Sequence, residues 1–187
     1  YYLANTVNCN TSATYFVQTN NIDLGGSTTP WTPIQLFAQY NGAGYTISNL
    51  YVNRTTASAS DALFSTVNTG ASISNLTLTS ASVSSSGTNI GILAASVSGS
   101  ITNCITSGTV ATQGTIASAV SIGGLIGNLA SGGTVSNSSS TASVSWGASS
   151  LTGTTVDMGG LVGNSSGTSI TLSSYTGTIS ATEAVGT

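Results

Sequence analysis

Charge is almost missing from this sequence. One cation, Arg54, and four carboxylates, Asp23, Asp61, Asp157 and Glu183, make up 3% of 187 residues, with no lysine and no histidine. A soluble domain is ordinarily about a quarter charged. A single cation cannot neutralise a run of phosphates, which excludes nucleic acid as a partner and a polybasic contact with an anionic membrane. No apolar run approaches the ~18 residues of a membrane-spanning helix. Without histidine, and with only Cys9 and Cys104 as thiols, the chain offers no metal-ligand cluster and no imidazole base. We expect no cofactor, no metal and no catalysis: the chain is read as not an enzyme. Aromatics, at 6%, are also sparse.

What replaces charge is serine, threonine, asparagine and 23 glycines, alongside 39% hydrophobic residues. Disorder ordinarily needs low hydrophobicity and high charge, so the chain is expected to fold. Its organisation is repetitive. The strings Ile90-Gly-Ile-Leu93, Ile122-Gly-Gly-Leu125 and Met158-Gly-Gly-Leu161 align, with a degenerate copy at Asp61-Ala-Leu63-Phe64. A second element follows each anchor leucine: Ile73-Ser-Asn75-Leu76, Ile101-Thr-Asn103-Cys104, Val135-Ser-Asn137-Ser138 and Ile170-Thr-Leu172-Ser173, with an earlier copy at Ile47-Ser-Asn49-Leu50. A third β-branched element lies at Val83, Val110, Val144 and Ile179. Repeat length varies only between the third element and the next anchor, as a coil with one permissive loop would show.

Each element is short, alternating and β-branched, bounded by Gly, Ser or Asn, which is strand chemistry. Three strands per coil of about 30 residues predict an all-β chain, a parallel β-helix of about five coils. Residues 1–46 are read as a less regular lead-in and cap with the first strands, 47–181 as the solenoid and 182–187 as a C-terminal tail. Ile73 and Leu76, three apart, can both face the core only if the chain bends between them. Asparagine tolerates the left-handed backbone of such a bend. Asn49, Asn75, Asn103 and Asn137 are therefore expected to stack as an inward amide ladder that ends at Leu172.

Gly124-Leu-Ile-Gly-Asn128 and Gly160-Leu-Val-Gly-Asn164 resemble GLUG motifs, and the lead-in Tyr15–Leu24, Trp31–Ile34 and Asn41–Leu50 is similar to that of GLUG-repeat proteins. The resemblance covers residues 15–181. It implies a right-handed β-helix in large secreted or surface proteins, often adhesin-like, with no chemistry assigned to the repeat. The expected location is extracellular or at the cell surface. The expected role is structural, as a fibre subunit or an adhesin stalk. The alternative is a glycan- or receptor-binding module.

Individual residues carry further expectations. Trp146, read as lying in a junction loop, is the preferred contact for a sugar ring. Sequons place candidate glycosylation at Asn10 and Asn53, and also at Asn75, Asn137 and Asn164; an inward ladder would make Asn75 and Asn137 unavailable. Arg54 and Asp61 are expected as a surface pair, and Cys104 as a buried thiol in a leucine position. No cap signal is seen in 181–187, so stacking of another copy, or continuation into a longer chain, is expected there.

Overall fold

The computed structural model describes residues 15–26, 29–55, 60–116, 118–147, 150–151, 155–166 and 169–181. Parallel strands stack into a β-solenoid with three faces. The first short face carries Ser60–Asp61, Asn89–Ile90, Val120–Gly123 and Val156–Gly159, and the second carries Ile34–Leu36, Phe64–Val67, Ala94–Val97, Ile126–Leu129 and Val162–Ser165. The long face is a 13-stranded sheet centred on Ser72–Ser85 and Ser100–Thr112. About four turns carry a strand on all three faces, and the coil before them lacks one on the first short face. The lead-in is part of the same stack. Tyr15–Val17 pairs with Gln39–Asn41, and Ile22–Asp23 with Thr46–Ser48, so residue 46 marks no break.

Register explains the repeats. Tyr40, Ile73, Ile101, Val135 and Ile170 form one column, and Val52, Val83, Val110, Val144 and Ile179 another. Apolar residues point inward at every second position, as a pleated strand with one buried face requires. The anchors Leu63, Leu93 and Leu125 are fully buried at the corner between the short faces. Their backbones join coil to coil through Leu93 N–H to Leu125 O and Leu125 N–H to Leu161 O, both at 3.0 Å. Variable repeat length is absorbed outside these strands, where the junction strands Thr115–Ile116 and Ser150–Leu151 pair with each other.

The long face bends twice. At the first corner Asn75, Asn103, Asn137 and Leu172 have φ of 53, 53, 49 and 48°. At the second, Ser80 and Gly108 have φ of 54 and 130°. Asn49, φ 59°, belongs to the second corner, because Ser48 pairs with Thr79. This corrects its expected place beneath Asn75. The second coil inserts a turn at residues 42–45, closed by Tyr45 N–H to Gly42 O at 2.8 Å, which carries the Ile47-Ser-Asn49 string one run further along. Gly42 takes the vacated backbone position, and Asn41, which pairs with Ser74, supplies the amide beneath Asn75.

Candidate functional site

Polar side chains on this solenoid are largely committed to its own backbone and to one another. Asn103 Nδ2 donates to Asn75 Oδ1 at 2.8 Å, and Asn75 Nδ2 to Asn41 Oδ1 at 3.0 Å. Asn41 Oδ1 also accepts from Ala43 N–H at 2.8 Å. This amide chain runs along the outer corner, not inside. Asn103 and Asn137 are exposed, and the inward expectation is corrected. The reason is the left-handed bend itself, which turns the asparagine outward so that residues two before and one after it can both enter the core. Asn137 keeps the backbone conformation, with its N–H bonded to Thr171 O at 3.1 Å. Asn49 Nδ2 instead donates to Asp23 Oδ1 at 2.8 Å, and Gly25 N–H to the same oxygen at 2.9 Å. These two donors, Asn49 foremost, hold the Asp23 carboxyl below its ordinary value of 3.8.

A second polar column, inside the coil, was not anticipated. Leu76 gives way to Cys104, Ser138 and then Ser173 along one column, and Leu78 to Thr106, Ser140 and Tyr175 along the next. The buried hydroxyls are satisfied. Ser138 Oγ accepts from Cys104 N–H at 3.1 Å and donates to Ser136 O at 2.8 Å, while Thr106 Oγ1 donates to Gly124 O at 2.9 Å. Cys104 is unbridged, and burial pushes its thiol up to about 12. Cys9 lies outside the described residues.

Asp61 is fully buried, which corrects the expected surface pair. It occupies the column of Ile90 and Ile122, so the repeat alignment carried the signal. Ser85 Oγ donates to its Oδ2. Arg54 Nε lies 3.3 Å from Oδ1, close enough for an ion pair but off the axis of a hydrogen bond, and Oδ1 has no hydrogen-bond donor among the described residues. Gln113 ties three coils together beside this pair, its Nε2 reaching Asn53 Oδ1 at 2.9 Å, Arg54 O at 3.0 Å and Ser84 O at 3.2 Å.

Trp146 is not in a loop. It ends the strand Ser143–Trp146, pairs with Ala181 and packs half-buried against the core. Asn53 is exposed, but its amide is engaged with Tyr51 Oη at 2.9 Å and with Gln113. Asn10 lies outside the described residues. Among the described residues no three potential metal ligands gather, and no helix is long and apolar enough to cross a membrane.

The two ends differ from the middle. At the C-terminal rung Ile170 and Ile179 are 42 and 50% exposed, although Ile101 and Val110, their counterparts within the stack, are fully buried, while Leu172, 85% exposed, continues the outer corner of Asn103 and Asn137. At the N-terminal rung Trp31 packs against the core, and its Nε1 donates to Leu63 O at 2.9 Å.

No family model and no curated protein matches the chain. Among solved structures it is similar to a "putative immunoglobulin A1 protease" from Bacteroides ovatus, at 19% identity and a TM-score of 0.50 over 87% of this chain and 60% of that one. The chain therefore spans about three fifths of that neighbour, and at this identity the likeness establishes a shared β-solenoid fold.

Proposed function

We propose that this chain is a non-catalytic structural segment of an extracellular fibre or adhesin stalk, built from GLUG-like repeats. The observation that carries this reading is the commitment of its polar groups. The amide ladder, the buried hydroxyls and the Asp61–Arg54–Gln113 network all bond coil to coil, and none converges on a shared cleft.

The name of the solved neighbour raises peptide hydrolysis as a question for this chain. That chemistry needs an activated nucleophile or water. Here there is no histidine, and the thiol of Cys104 is buried and held protonated. Asp61 and Asp157 share the first short face but sit three rungs apart, roughly 14 Å. These features favour a structural role. Trp146 keeps only part of its ring outside the core, which weighs against the glycan-binding alternative.

The location is tested by antibody labelling of intact and permeabilised producer cells. Labelling of intact cells is expected; labelling only after permeabilisation contradicts the extracellular reading.

A further inference from the structure

We infer that Asn137 carries an N-linked oligosaccharide, at a site that the outward turn of its corner opens. The inference rests on the extracellular reading above and concerns one side chain of that surface. It reverses the expectation that an inward ladder closes Asn137. Asparagine stands in an N-x-Ser/Thr triplet at Asn10, Asn53, Asn75, Asn137 and Asn164. A chain rich in serine and threonine produces such triplets freely, so the triplet alone decides little. What separates the described ones is the state of each amide. Asn53 Nδ2 donates to Tyr51 Oη, and its Oδ1 accepts from Gln113. Asn75 is half-buried between Asn41 and Asn103 and bonded to both. Asn164 Nδ2 donates to Asp157 Oδ2 at 2.7 Å. Asn137 is exposed, and its side-chain amide has no hydrogen-bond partner among the described residues.

The stack explains why. Amides bond along the corner from Asn41 to Asn103, but the residue after Asn137 at that corner is Leu172, which offers neither donor nor acceptor. The left-handed backbone, φ 49°, turns Asn137 outward while Ser138 beside it enters the core. Ser139, the hydroxyl of the triplet, faces outward again. A bulky sugar on Asn137 therefore breaks no bond of the fold.

The surroundings fit a covering sugar. Leu172, 85% exposed, is the most exposed large hydrophobic among the described residues. It stands one rung, about 4.8 Å, from Asn137. Ile105, 43% exposed, lies one rung away on the other side, in the column of Ser139. The C–H face of a pyranose ring laid along this corner removes both side chains from water, which is favourable. The transfer joins Asn137 Nδ2 to the anomeric carbon of a phosphate-activated oligosaccharide supplied by the producer cell. The bond from that carbon to the phosphate oxygen breaks, the phosphate leaves with the electron pair, and Nδ2 loses one proton.

Peptide mapping of the chain isolated from its producer cells tests this. Cleavage after Leu129 and Trp146 releases residues 130–146, in which Asn137 is the sole asparagine. Mass spectrometry with electron-transfer fragmentation should place a hexose- or hexosamine-containing mass on Asn137. Ser139→Ala removes the hydroxyl of the triplet and leaves Asn137 in place, and it should abolish that mass. Ser139→Thr should keep it, with circular dichroism confirming that both variants fold. An unmodified Asn137 in the wild-type chain overturns the proposal, as does sugar found only on the serines of this peptide. Sugar that persists on Asn137 in Ser139→Ala also overturns it, since the triplet is then not what is read. Sugar on Asn75 at the level of Asn137 would refute selection by the free amide. If intact cells label while Asn137 is bare, the modification fails and the extracellular reading stands.

Discussion

Asn75 does two jobs that can be separated by substitution. Its backbone is left-handed, φ 53°, and its amide both donates to Asn41 and accepts from Asn103. Glycine keeps the first and loses the second; alanine loses the second and strains the first. Asn75→Gly should cost about 1 kcal/mol and Asn75→Ala about 2 kcal/mol, read from urea denaturation midpoints at constant slope. Alanine no worse than glycine would contradict the left-handed corner. The recurrence of asparagine at this corner was legible in the sequence because backbone handedness selects residue type locally. Its outward direction was not, because that depends on how the flanking residues are drawn into the core. Asp61 illustrates the converse. A lone acid reads as surface by composition, whereas its column, shared with Ile90 and Ile122, places it inside.

At the scale of the element, the first glycine of each anchor string, Gly91, Gly123 and Gly159, marks where two strands turn on each other. A Cβ on Gly123 would collide with Ile126 O and stand 2.7 Å from Gly163 N, both backbone atoms that cannot swing aside. Gly91 and Gly159 meet the equivalent carbonyls of Ala94 and Val162. The corner between the short faces is thus closed to any side chain at that position. Gly123→Ala should cost about 3 kcal/mol by overpacking. Hydrogen exchange should localise the loss to Val120–Leu129 and the strands stacked on it, since a solenoid is stabilised coil by coil. Unchanged protection there would refute the tight corner. The anchor leucines and strand columns were readable from spacing alone. The displacement of Asn49 was not, because a four-residue turn in the second coil shifts the string without altering it.

At the scale of the whole molecule, the six rungs of the long face, about 4.8 Å apart, give an axial length of roughly 25–30 Å. Low charge, parallel polarity and a register kept from rung to rung suit the proposed fibre or stalk segment. This stacking was only partly legible in the sequence. Repeats announce a solenoid, but which residues lie over which depends on three-dimensional register. Negative-stain electron microscopy of the purified chain across a concentration series tests it most directly. The account predicts rods of constant width. Round particles or growth by widening would contradict it.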